Sequence, residues 1–334
     1  MNKNIPLIDL HCHLDGSITL EIAKKLAALQ NIEIPDNDEE LLKLLTVDEN
    51  CASLTDFLKC FDLPIKLLQT PEGICEAVYL VQEKLKKQGI VYLEIRFAPS
   101  IFTQKNLSQL DAVNAALEGL KRSDLHTNFI LCCMRGDGKE IHEKNLETIR
   151  LASKFLTKDG GVVAVDLAGA EALFDTKNFK EEFKLAVELN LPFTIHAGEA
   201  AGAASVDCAL DFGAKRIGHG VRAFEDEAVL KRIIDSKIPL EMCPSSNKQT
   251  HALSDMKDYP LKKYLALGVK ATVNTDDMAI CGTTLREEFK YLEQNFNLSA
   301  QEEKTLLLNS ADAAFTDEKT KAWLRQMIEN ADFS

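Results

Sequence analysis

The sequence predicts an α/β chain whose strands close into a (β/α)8 TIM barrel. Two observations carry this: eight short apolar, β-rich runs recur along the 334 residues with helix-patterned stretches between them, and several of those runs end on histidine or aspartate. Alternating strand and helix points to parallel strands joined by helical crossovers, and eight such units close most simply as a barrel. A doubly wound open sheet is the competing arrangement.

In chain order the runs are LIDL (7–10), VYLEIRF (91–97), FILCCM (129–134), VVAVDL (162–167), PFTI (192–195), RIG (216–218), PLEMC (239–243) and VKATVN (269–274). Helix signals separate them. Ser205 can cap VDCALDF before Gly213 stops it, and Leu230, Ile233 and Ile234 form an apolar stripe before Pro239. About 70 residues rich in helix patterns separate the first two runs, far more than one crossover needs, so a helical cap at about 17–90 is expected over one end of the barrel. From about Ala300 the chain reads as helices packed outside the barrel, followed by an acidic tail. No linker or low-complexity run divides residues 1–334, which predicts a single domain.

Composition narrows the partners. A formal charge of −13 argues against broad neutralisation of nucleic-acid phosphates or adhesion to anionic lipid, so a small molecule is the expected partner and neither nucleic acid nor membrane is. Nine cysteines, including the adjacent Cys132 and Cys133, suit a reducing compartment better than a disulfide framework. With no long apolar signal region and no long apolar span, the expected location is cytoplasmic. The expected state is a monomer.

Four of the seven histidines follow strand-like runs: His11 and His13 in HCHLDG, His196 in HAGE, His219 in GHG; Asp276 does so in NTDD. Residues two apart on a strand share a face, so His11 and His13 can offer both imidazoles to one ion while Cys12 faces away. An HxH pair alone is weak evidence. His196 and Asp276 strengthen it, because C-terminal strand ends are where such barrels gather functional groups. Three imidazoles and a carboxylate suit one Zn2+ or another late divalent metal, with a position left for water whose pKa the metal would lower to roughly 7. No CxxC pair occurs, and DLAG at 166–169 holds no lysine that could bridge a second metal.

HCHLDG, DLAG, HAGE, GHG, CPSSN and NTDD, in this order from Asp9 to roughly Glu288, make the chain resemble the adenosine deaminase family, metal-dependent barrel enzymes of purine metabolism within the amidohydrolases. The resemblance implies zinc held by His11, His13, His196 and Asp276, with Glu199 and His219 acting on the reaction. It places His13, Asp15, Gly169 and Asp277 against a purine nucleoside, Asp15 at the ribose. The implied activity is hydrolytic deamination of adenosine and 2′-deoxyadenosine; the alternatives are methylthioadenosine, aminodeoxyfutalosine or adenine. Two positions depart from the family pattern, Met278 after TDD and Ala170 after DLAG, and both bear on the shape of the purine pocket.

The chemistry asks for a raised pKa at Glu199, so that it can protonate purine N1. His219 is placed to take the water proton and stabilise an oxyanion, and Asp276 can accept from the same water. Asp277, next along an extended segment, should face away from the metal and donate to N7 if protonated; otherwise it is a helix cap ahead of Thr283 and Thr284. Gly169 either lets the purine edge reach a backbone N–H or is a simple turn glycine. Leu54, Phe57, Leu58 and Phe61 share one helix face, an ordinary core stripe by periodicity and a gate by resemblance. Glu94, Arg96 and Arg135 read equally well as structural ion pairs and are left out of the site. His126, His142 and His251 are expected on the surface.

Overall fold

The structure is a computed structural model that describes residues 4–48 and 54–333, the side chains of 54–56 excepted. Its strands are β1 (Leu7–His13), β2 (Ile90–Phe97), β3 (His126–Met134), β4 (Val162–Ala168), β5 (His196–Ala197), β6 (Ile217–His219), β7 (Leu240–Met242) and β8 (Ala271–Val273). All pair in parallel, in the orders β1-β2-β3-β4 and β5-β6-β7-β8. Bridges at Val165–Phe193 and Cys12–Asp276 join the two halves at both seams, so the sheet closes and leaves no free edge. The open-sheet alternative is thereby excluded. PFTI supplies the first seam, and β5 begins just after it.

Closure at the second seam explains the polar residues of NTDD. β1 carries a register shift between Asp9 and Cys12, which takes the Leu10 and His11 amides out of the regular ladder. Side chains replace the lost partners: Asn274 Oδ1 accepts from Leu10 N at 3.0 Å, and Asp9 Oδ1 accepts from His11 N at 3.2 Å while its Oδ2 accepts from the Thr275 hydroxyl at 2.6 Å. Asp276 N then donates to His11 O at 2.7 Å, and His13 N to Asp276 O at 2.9 Å.

Helices cover the outside. Between β1 and β2, the helix Pro71–Lys87 packs against the helix Gln109–Leu120 and against β2, as a barrel crossover does, whereas Phe57 joins Val47, Ile280 and Cys281 in a small separate cluster. The helix Ala203–Phe212 starts after Gly202, so Ser205 is not its cap; its hydroxyl instead donates to Glu171 at 2.6 Å, and Gly213 ends the helix at φ 93°. His126 and His142 lie partly exposed at the surface, each against a carboxylate, Asp159 and Glu182, and His251 is exposed. Among the described residues no helix is long and apolar enough to cross a membrane.

The barrel interior is layered. At the N-terminal end of the strands, Ile130, Val163 and Ala164 pack on Phe315, in the turn between the helices Ala300–Ala313 and Glu318–Asn330. The next layer is charged. Arg216 binds Glu241 at 2.6 Å, Glu94 at 2.5 Å and the carbonyl of Ala313 at 3.0 Å, and its guanidinium lies 3.9 Å above the Phe315 ring. One buried cation thus ties β2, β6 and β7 to the C-terminal helices. Arg216→Met should cost about 3–5 kcal/mol by leaving Glu94 buried without its cation and Glu241 with Arg96 alone; a urea midpoint equal to that of the parent chain would show that the pairing carries no stability.

Candidate active site

The residues singled out in the sequence lie at the C-terminal ends of the strands, around a cavity of about 340 Å³. His11 and His13 belong to β1, His196 opens β5, His219 ends β6, and Asp276 follows β8. His11 Nε2 is 3.1 Å from His196 Nε2 and 3.1 Å from Asp276 Oδ1; His13 Nε2 is 3.2 Å from His196 Nε2 and 3.4 Å from Asp276 Oδ1. Four ligands held 2.0–2.1 Å from a tetrahedral ion are separated by about 3.3 Å, so this spacing fits a single cation.

Hydrogen positions make the same point. His11 Nδ1 lies 2.8 Å from Glu241 Oε2 and His196 Nδ1 lies 2.9 Å from Asp166 Oδ2. A ring nitrogen facing a carboxylate carries the proton, which leaves the Nε2 lone pairs of both rings pointing at each other. Only a positive charge makes that contact favourable. Burial and Arg96 push the His11 pKa down, yet Asp276 and Glu241 outweigh them and raise it to about 9: with no cation the cluster draws a proton instead. His13 stays well below its ordinary value through burial. The four residues could hold a divalent metal, and their donor set is complete.

The reacting groups face this cluster. His219 Nε2 is 3.5 Å from Glu199 Oε2 and 3.8 Å from Asp276 Oδ2. Burial and the nearby Asp276 raise Glu199 to about 8, while burial keeps His219 neutral, well below its ordinary pKa. Asp277 is raised well above the carboxylate range by burial, Asp276 and Asp15, and Asp15 by burial to about 6. Both line the cavity, and Oδ1 of each is buried without a hydrogen-bond partner. Such atoms are costly unless something enters to meet them.

Two expectations change. Asp276 is not extended: its φ is 60°, so Asp277 turns into the cavity by a backbone reversal, and Thr284 rather than Asp277 caps the following helix. Met278 packs in the main core and is not part of the cavity lining, whereas Ala170 is. Gly169 has φ 100°, a conformation that disfavours any side chain, and also lines the cavity, so turn and pocket requirements coincide there. Of the cap stripe, Phe57, Leu58 and Phe61 line the cavity, and the Leu54 side chain lies outside those described.

Sequence reasoning left Arg96 and Arg135 out of the site and gave Glu171 and Glu241 no role. Arg96, fully buried, binds Asp166 at 2.9 Å through one nitrogen and Glu241 at 2.7 Å through the other. Arg135 donates to the carbonyl of His196 at 2.6 Å. Glu171 accepts from the backbone amides of Gly198, Glu199, Ala200 and Ala201 at 2.7–3.0 Å, fixing the HAGE loop. An acid two residues beyond the strand-ending Gly169 was the available signal for it. Asp166→Asn and Glu241→Gln should each weaken metal affinity about 10–100-fold, measured by competition with a chromophoric chelator; wild-type affinity in both would deny these carboxylates a role in the cluster.

Comparison with known proteins is consistent across sequence and structure. Residues 6–331 match the family model described as adenosine deaminase. The adenosine deaminase of Haemophilus ducreyi is 49% identical over 97% of this chain and 95% of its own length, and that of Clostridium acetobutylicum is 39% identical over 98% of each. Among solved structures, an adenine deaminase from Arthrobacter aurescens shares 28% identity with a TM-score of 0.86, covering 97% of this chain and 98% of that one.

Proposed function

The chain belongs to the adenosine deaminase family, and from that premise we infer a hydrolase that acts on a C–N bond, replacing the 6-amino group of adenosine with oxygen to give inosine and ammonia. The observation that carries this reading is a carboxyl raised to about 8, Glu199, set beside a complete metal-ligand cluster in a largely apolar cavity. 2′-Deoxyadenosine is included, because nothing in the argument requires the 2′-hydroxyl. A role in purine salvage, a cytoplasmic location and a monomeric state belong to the same proposal; the described cysteines form no disulfide, which fits the location.

We assign the cation as zinc, one per chain, held by His11, His13, His196 and Asp276; when bound it would lower the pKa of a water molecule beside C6 of the base. The chain's own residues do the rest. Glu199, protonated at neutral pH, donates to N1 as oxygen adds at C6, which moves ring electrons onto a nitrogen able to hold them. Asp276, ionised, accepts a proton from the attacking water. His219 stabilises charge on that oxygen. Return of a proton to the amino nitrogen lets it leave as ammonia. Protonated Asp277 donates to N7, the Gly169 backbone meets the purine edge, and Asp15 receives a ribose hydroxyl. Residues 1–334 act as one hydrolase domain, and the helical segment at about 17–90 supplies Phe57, Leu58 and Phe61 to the wall above the base.

Ultraviolet spectra of the purified protein with adenosine, adenine, methylthioadenosine and aminodeoxyfutalosine should show the shift to a hypoxanthine chromophore with adenosine; no shift on any of the four would remove the assignment. Asp15→Ala should weaken adenosine turnover without weakening adenine binding, and equal losses on both would contradict the ribose contact. Glu199→Gln should lower kcat by roughly 10²-fold or more with the metal retained. The functional form of Glu199 is the protonated one, present below its raised pKa and lost as pH rises through it. Activity should therefore fall on the alkaline side at or below about pH 8, since a bound cation can only lower the value. An activity that keeps rising past pH 9 would assign the N1 proton to another group.

A further inference from the structure

CPSSN has no role so far. In the structure Pro244 opens a short helix, Pro244–Gln249, that follows β7 and ends beside the cavity. Asn247 and Thr250 lie three residues apart, which puts them on one face. The Asn247 side-chain nitrogen is 3.1 Å from Nδ1 of His219, and its oxygen accepts from the Tyr259 hydroxyl at 3.1 Å. The Thr250 hydroxyl is 2.9 Å from Oε1 of Glu199 and 3.0 Å from the carbonyl of Ser246. One helix face therefore touches the two side chains assigned to the reaction, each on the atom that points away from the metal cluster.

The helix is itself held firmly. Glu288, fully buried, accepts from Ser245 N at 2.9 Å and from the Thr283 hydroxyl at 2.6 Å, and the Gln249 side chain donates to the carbonyl of Cys281 at 3.1 Å. These contacts fix the helix to the segment that carries Asp276 and Asp277, so the orienting groups and the cluster share one frame.

Hydrogen-bond chemistry then decides what each contact does. A side-chain amide nitrogen only donates, so Nδ1 of His219 must accept, and a neutral ring with Nδ1 bare carries its proton on Nε2, the atom that faces Glu199 and Asp276. The Thr250 hydroxyl has one proton and two acceptors in reach; given to Oε1 of Glu199 rather than to the Ser246 carbonyl, it leaves the carboxylic proton on Oε2, the oxygen 3.5 Å from His219 Nε2. We propose that Asn247 and Thr250 are positioning residues for the deamination: Asn247 selects the Nε2–H form of His219, and Thr250 turns the acid proton of Glu199 toward the base. In that form His219 meets the attacking oxygen as a donor, and the water proton goes to Asp276. The proposal rests on the reading of the site as a deaminase.

The test uses the metal-loaded full chain, with metal content checked by elemental analysis in every variant. Thr250→Val keeps the shape and removes the hydroxyl; it should lower kcat for adenosine about tenfold with KM within twofold, and Thr250→Ser should restore it. Asn247→Asp replaces the donor with an acceptor and should move the His219 proton to Nδ1, lowering kcat on the order of 10²-fold, in the direction of the loss seen when a catalytic imidazole is held in the wrong tautomer. The tautomer is read directly from 15N shifts of histidine-labelled protein, assigned with His219→Gln. Should Asn247→Asp not fold, Tyr259→Phe frees the amide oxygen alone and should give a smaller loss of kcat with the same KM.

A wild-type kcat in Thr250→Val, a parallel change in kcat and KM without rescue by serine, or a parent protein with its His219 proton on Nδ1 would overturn the proposal. If the parent protein leaves adenosine unchanged, the deaminase reading fails instead. The 15N pattern still decides the His219 half of the proposal in that case, because it is read without turnover.

Discussion

The site depends on one buried guanidinium. Arg96 reaches Asp166 and Glu241 from opposite sides of the barrel interior, and each of those carboxylates faces Nδ1 of a cluster histidine, at His196 and His11. Burial alone would raise both acids; the facing His196 ring and the Arg96 charge hold Asp166 well below its ordinary range, and Arg96 with Arg216 does the same for Glu241. A fully ionised carboxylate is what keeps a proton on Nδ1 and a lone pair on Nε2. The arginine therefore sets the metal-binding form of two imidazoles it does not touch. Such an array is expensive to bury and is weak evidence for stability; orienting ligands is the better-founded account of it.

Backbone strain lies where this array meets the cavity. His219 has φ 62° and Asp276 φ 60°, a left-handed conformation that costs a residue with a side chain on the order of 1–3 kcal/mol and persists only where the surroundings impose it. Asp276 is held by its amide and carbonyl, both bonded to β1 across the closing seam. His219 is followed by Gly220, also left-handed at φ 67°, so the chain leaves β6 at once and presents the ring across the barrel mouth instead of along the strand. Each reversal aims a side chain at the shared cavity, which a continued strand would direct outward or along the axis.

These devices differ in how far the sequence reveals them. His11 and His13 were legible because strand periodicity is two, so a local pattern determines which residues share a face. The six motifs were legible through their order. The partners of Glu94, Arg96 and Arg216 were not, because a charge on an apolar strand has a meaning only through its partners, and those lie on other strands: Asp166 70 residues and Glu241 145 residues from Arg96, Glu94 122 residues and Glu241 25 residues from Arg216. Ser205 looked like a helix cap by the local rule, yet Glu171 claims its hydroxyl from another loop. Asp277 was expected to face away from the metal along an extended segment; the reversal at Asp276, a tertiary consequence of barrel closure, turns it into the same cavity.

The adjacent aspartates show how one pocket divides its labour. Asp276 and Asp277 start from the same chemistry, and burial raises both. Asp276 lies among His11, His219 and His13, whose positive or polarised rings overcome burial and hold it ionised. Asp277 faces no such group; its near neighbours are Asp276, Asp15 and Glu199, so each ionised acid makes the next harder to ionise. In a dry pocket the outcome is an ionised Asp276 with Glu199 and Asp277 held as acids, the first able to bind a cation and accept a proton, the other two able to donate. A cation at the cluster would stabilise the charge of Asp276 most, at short range, and would lower the more distant Glu199 and Asp277 less, so the order of the roles stands. Acid and base roles at neutral pH thus follow from where the histidines stand, and the histidines stand where Arg96 and its carboxylates hold them.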